Sequence, residues 1–193
     1  MMRSRGLAET PPEPIEGVGM AVALAAVGLG LLALRVRLLG VPSAPALFAA
    51  IYILVGAASM AHSIEPREDR PLRPEVALAV GVGAMVAGAL LAGHVVPNRL
   101  GPHALALNSL AAISEEAFFR RFLYGRLARF GPVAAVAATA LLFALVHVPA
   151  YGPSVFWVDL GAGVLLSWQR WASGTWVVPA GTHVAANLLV MLP

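Results

Sequence analysis

Seven apolar runs, at residues 17–34, 41–61, 76–96, 104–130, 133–148, 155–172 and 175–192, follow one another with only short polar breaks between them. Such a chain has few ways to fold. In lipid the backbone N–H and C=O groups must be satisfied within the segment, so a run of about 20 apolar residues crosses as an α-helix. The pattern therefore predicts an all-α, polytopic transmembrane bundle of about seven helices (six to eight). A single domain is expected over 17–193, preceded by a flexible, Pro-rich tail at 1–16. Charged residues make up only 12% of the 193, half the roughly 25% of a soluble domain, and the mean hydropathy is +0.80. Cysteine is absent, which excludes disulfides, thiolate catalysis and Cys-based metal sites.

All thirteen basic residues are arginine. They are scattered singly or in pairs beside the apolar runs, so they read as topology signals, and nucleic acid is not an expected partner. If the runs alternate across the bilayer, Arg3, Arg5, Arg67, Arg70, Arg73, Arg126, Arg129 and Arg170 fall on one side. Only Arg35, Arg37 and Arg99 fall on the other. The positive-inside rule then places the N-terminus and the polar loop at 62–75 in the cytoplasm. The Arg/Ala/Gly-rich composition suggests a bacterial source, and hence the inner (cell) membrane. Trp157, Trp168, Trp171 and Trp176 flank the last two runs as an aromatic belt would. Glycine pairs at 17/19, 28/30, 81/83 and 161/163 suit close helix packing.

Ionisable groups are expensive at the centre of a membrane helix and mark function by default. Here they lie in the later runs: Asn108, Glu115, Glu116, Arg120 and Arg121 in the fourth, His147 in the fifth, Asp159 in the sixth, His183 and Asn187 in the seventh. The first three runs are nearly featureless, which suggests one site built by the later helices on a scaffold of the earlier ones. Residues four apart share a helix face, so Glu116 and Arg120 can neutralise each other. Glu115 is rotated by about 100° from Glu116 and has no partner on its own helix. Phe143 with His147, and His183 with Asn187, are further pairs at the same spacing. One spare carboxylate, two imidazoles and an amide are the inventory for activating a water and holding an oxyanion.

In order along the chain, "EEAFFR" matches Glu-Glu-x-x-x-Arg, "FALVH" matches Phe-x-x-x-His, and "HVAAN" matches His-x-x-x-Asn. Together they resemble the CPBP family of CAAX proteases and bacteriocin-processing enzymes, the Rce1-like or ABI glutamic intramembrane proteases. "SGTWVVPAGTHVAAN" also resembles the approach to that family's last motif. The resemblance places a catalytic core over residues 104–192. It implies that Glu115 and His147 activate a water for attack on a peptide carbonyl, and that His183 and Asn187 stabilise the oxyanion. Glu116, Arg120 and Phe143 would be supporting residues. The family commonly has glycine after the motif arginine, where this chain has Arg121.

The implied partners are the bilayer and a membrane-associated protein or peptide, or one bearing a C-terminal signal, as in the myxosortase-like branch. A prenylated tail fits a bacterial chain less well, since prenylation is a eukaryotic modification. No cofactor is expected. Two histidines and a glutamate could ligate zinc, but the His-Glu-x-x-His helix signature is missing. Two other functions compete. A transporter or proton-relay subunit would also use intramembrane Glu and His, though repeat symmetry is lacking. An inactive family member could act as a scaffold. Asp159 reads as a helix-start residue, Asn108 as a neighbour of Glu115 on nearly the same face, and His62, His94 and His103 as solvated. Arg121, Arg126 and Arg129 read as the cytoplasmic end of the fourth run.

Overall fold

A computed structural model describes residues 15–38, 43–66, 70–91 and 102–189. The tail at 1–14, with Arg3 and Arg5, and also Arg67, His94 and Arg99, lie outside the described residues. Every regular element among the described residues is helical. The helices are α1 (Ile15–Leu34), α2 (Ala44–Ala61), α3 (Pro74–Leu91), α4 (Pro102–Glu116), α5 (Tyr124–Leu127), α6 (Pro132–Tyr151), α7 (Phe156–Ser173) and α8 (Val177–Leu189). A π-helical segment, Ala117–Leu123, joins α4 to the short α5, so these three form one continuous rod. The described residues thus contain seven helical rods, as the apolar runs predict.

Four of them, Gly17–Leu34, Ala44–Ala61, Pro74–Leu91 and Pro132–Tyr151, are long and apolar enough to cross a membrane. The protein is an integral membrane bundle, and its burial pattern is that of a molecule turned inside out. Val22, Val27, Ile53, Leu54, Leu90, Leu91, Val133 and Val158 point outward, an apolar exterior that only lipid would cover without penalty. The largest fully buried side chains are Arg120 and Arg170.

α6 packs most extensively on α7, α2 on α4, and α8 on both α3 and α4. Close approach of α6 to α7 requires Gly163, because a Cβ there would lie 3.0 Å from the Ala140 Cα and carbonyl oxygen. An aromatic cluster of Phe118, Phe119, Phe122 and Phe143 fills the centre beside Leu32, Tyr52 and Val55. It ties α1 and α2 to the π segment and α6.

One boundary differs from expectation. The fifth run does not end at Pro149; α6 carries it inside the helix and continues to Tyr151. The stop is Gly152, at φ 87°, which a residue with a Cβ adopts only with strain. His147 therefore sits a full turn inside the helix and is buried.

Candidate active site

The last residues of α4 are buried, and Glu115 and Glu116 both point into the bundle. Beyond them the helix widens into the π segment. Such single-turn insertions recur at functional sites because they leave backbone carbonyls outside the regular ladder. Here the Tyr124 N–H reaches back to the Phe119 and Arg121 carbonyls, while the Arg120 carbonyl accepts a bond from Arg170 Nε at 3.1 Å. Nothing in the residue pattern signals this segment.

Glu116 is fully enclosed. Its Oε1 accepts from Arg120 Nη1 at 3.0 Å, the ion pair expected from the four-residue spacing, and from His183 Nδ1 at 2.9 Å. Arg120 also donates from Nη2 to the Gly163 carbonyl at 3.1 Å and lies over the Phe143 ring at 4.5 Å. The result is a sealed knot that holds α4, the π segment, α6, α7 and α8 together.

Glu115 lacks a partner on its own helix, as its spacing implies, but a residue from another element meets it. Arg35, in the 3-10 turn Arg35–Leu38 after α1, forms a buried ion pair with Glu115 Oε1. Arg35 also donates to the Tyr52 hydroxyl at 3.3 Å. The early helices therefore also contribute to the cavity, through Arg35 and Tyr52. Spacing could not reveal it, because the pair joins residues 80 apart.

On the other oxygen, Glu115 Oε2 faces His147 Nε2 at 3.6 Å. The His147 Nδ1 lies 2.7 Å from the Phe143 carbonyl oxygen. A carbonyl only accepts, so Nδ1 carries a hydrogen, and Nε2 is the ring nitrogen that faces Glu115. Two groups 3.6 Å apart can hold one water between them, each at a hydrogen-bond distance of about 2.8 Å. The ring is fixed further by contacts with Phe143 at 4.5 Å and Tyr151 at 5.9 Å.

Glu115, His147, His183 and Asn187 line one cavity of about 340 Å³, together with Arg35, Tyr52, Asn108, Tyr151 and Asp159. Asn187 donates one amide hydrogen to the Asn108 backbone carbonyl at 3.3 Å, so Asn108 acts through its main chain. Asp159 is in the first turn of α7, as a helix-start residue would be, but it also lines this cavity, and its Oδ2 is buried without a hydrogen-bond partner. Among the described residues, no group of three or more His, Asp or Glu side chains is placed to hold a metal ion.

Arg121 does not sit at a free helix end. It donates from Nε to Ser63 Oγ at 2.7 Å and pairs with Glu65 at 3.3 Å, while Arg170 meets the same Glu65 at 3.3 Å. Arg126 donates to the His62 carbonyl at 3.1 Å. The loop after α2 is thus strapped beneath the π segment. Gly125 permits this, because a Cβ there would collide with the Ile64 carbonyl.

Residues 97–189 match the family model for type II CAAX prenyl endopeptidase, Rce1-like. Over this segment, a little under half of the chain, the protein is similar to the Rce1-like family. No curated protein and no solved structure matches the chain. The Rce1-like segment contains Glu115, Glu116, Arg120, Phe143, His147, His183 and Asn187, whereas Arg35 and Tyr52 fall before it. Rce1-like proteins of the CPBP kind are intramembrane proteases, so the family implies a hydrolase of peptide bonds, with a protein or peptide as substrate.

Proposed function

We propose that the protein is a glutamic-type intramembrane endopeptidase whose reaction is carried by Glu115 and His147. The observation that supports this most is the opposition of Glu115 Oε2 and His147 Nε2 across 3.6 Å, with Nδ1 committed to the Phe143 carbonyl. A water held between them loses a proton to this pair as its oxygen attacks the scissile carbonyl carbon. The carbonyl oxygen becomes an oxyanion. The uncommitted amide hydrogen of Asn187 donates to it, and His183, held through Nδ1 by Glu116, lines the same cavity as the second group of the oxyanion site. The proton then passes to the departing nitrogen, the C–N bond breaks, and a carboxylate and an amine leave.

The chemistry needs no metal, so cleavage is expected to survive EDTA. Inhibition restored by zinc would replace the water-activating pair with a metal centre. The substrate class is a membrane-associated protein, or one carrying a C-terminal signal, whose cleavage site reaches the cavity. The test is a comparison of new protein termini in membranes carrying wild type or Glu115→Gln. Termini found only with wild type are expected. Identical profiles, with both proteins folded and present in equal amounts, would reject the mechanism.

A further inference from the structure

The contacts made by Arg35 leave most of its guanidinium unused. Tyr52 and Glu115 are both served by Nη1, while Nε and Nη2 are buried and meet no hydrogen-bond partner among the described residues. Nε–H and one Nη2–H point to the same side of the planar group. That edge is the fork that takes a carboxylate through two parallel bonds. A charged donor left unmade inside a protein is costly, and the Arg35 side chain is only 8% exposed. If holding Glu115 were its whole role, the carboxylate would be expected across the fork. Instead Glu115 is on a single nitrogen and the fork, though buried, stays unpaired.

Position gives the unpaired fork a use. Arg35 lines the same cavity as Glu115, His147, His183 and Asn187. It comes from the turn after α1, outside the matched segment at 97–189, so this chain supplies it from its own N-terminal part.

We propose that Arg35 anchors a carboxylate of the substrate on its Nε–Nη2 edge, beside the scissile bond. This rests on the peptidase reading above. The carboxylate is either the free C-terminus of the peptide or an Asp or Glu side chain near the cleavage site; the chemistry at Arg35 is the same. Its arrival also acts on Glu115. A second carboxylate shares the positive charge that Glu115 otherwise faces alone, weakens the hold of Nη1, and releases Glu115 toward the water. The substrate thereby completes the site that cuts it.

The test uses the full-length protein in proteoliposomes and a pool of apolar peptides made in matched forms. Each peptide ends in a carboxylate or an amide, and carries Asp or Asn at a given internal position. Wild type is expected to favour one carboxylate form over its neutral match by about ten- to a hundredfold in kcat/KM, mainly through KM. Arg35→Gln should bring that ratio near one, and Arg35→Lys should keep part of it. Preference within the carboxylate/amide pairs assigns the anchor to the C-terminus; preference within the Asp/Asn pairs assigns it to a side chain.

Binding of the same pool to Glu115→Gln, read by native mass spectrometry, gives the preference without turnover and without altering Arg35. Equal binding and equal cleavage of charged and neutral forms would overturn the anchor, and loss of cleavage in Glu115→Gln would then show that the peptidase reading still stands. A carboxylate preference in binding, with no peptide cut by wild type, would do the reverse.

Discussion

Glu115 and Glu116 are neighbours on one helix turn, yet they stand in opposite surroundings. Glu116 is 0% exposed; its partner Arg120 is shut inside the bundle, while His183 holds it from the wall of the cavity. Glu115 lines a cavity and is held by Arg35 on one oxygen and faced by His147 on the other. A rotation of about 100° separates a carboxylate that binds helices together from one that can meet a substrate. Charges buried in a membrane helix are therefore not a single class. What distinguishes them is whether all their partners are internal and permanent.

The largest effect should come from the cavity side. His147→Ala is expected to lower kcat by about 10²–10⁴-fold with little loss of folded protein, as read by steady-state cleavage and size-exclusion profile. An unchanged kcat would move water activation away from this face.

The sealed side should respond in stability. Arg120→Ala leaves Glu116 uncompensated in the interior and is expected to cost about 3–5 kcal/mol, measured by unfolding in detergent. If stability held while cleavage alone fell, Arg120 would belong with the cavity.

Asn187→Ala sharpens the division further. It removes one donor to the oxyanion, so a loss of about 10²–10³ in kcat with KM nearly constant is expected. A change confined to KM would make Asn187 a binding residue. The smallest effect is at the membrane edge. Arg121→Ala breaks a partly exposed pair with Glu65 and a bond to Ser63, worth about 1 kcal/mol or less. Faster proteolysis of the loop after α2, with cleavage activity intact, would match that role.

The sequence made one of the two sides legible. Spacing of three to four residues reports contacts within a helix, so the Glu116–Arg120 pair and the Phe143–His147 face could be read directly. Seven apolar runs likewise dictated seven helical rods among the described residues. Contacts between distant helices leave no such spacing. Arg35 looked like the polar end of a span because arginines there usually are, and only packing turned it inward beside Tyr52 and Glu115. Asp159 lies in the first turn of α7 but caps nothing, and its place in the cavity depended on how α7 lies against α6. The π segment was hidden for a different reason. Its sequence, Ala117–Leu123, has no residue that forbids an ordinary α-helix; the extra residue per turn is fixed by tertiary packing.

The most direct test compares Glu115→Gln with Glu116→Gln in the same proteoliposomes, scoring cleavage and unfolding temperature together. Glu115→Gln is predicted to abolish cleavage and to lower the unfolding temperature less than Glu116→Gln does, because the cavity beside Arg35 lets water offset the lost ion pair. Glu116→Gln is predicted to lower the unfolding temperature markedly, with cleavage weakened but not abolished in the fraction that stays folded, since Glu116 also holds His183. A Glu116→Gln protein that is stable but inactive, beside a Glu115→Gln protein that still cuts, would contradict the division of the two carboxylates.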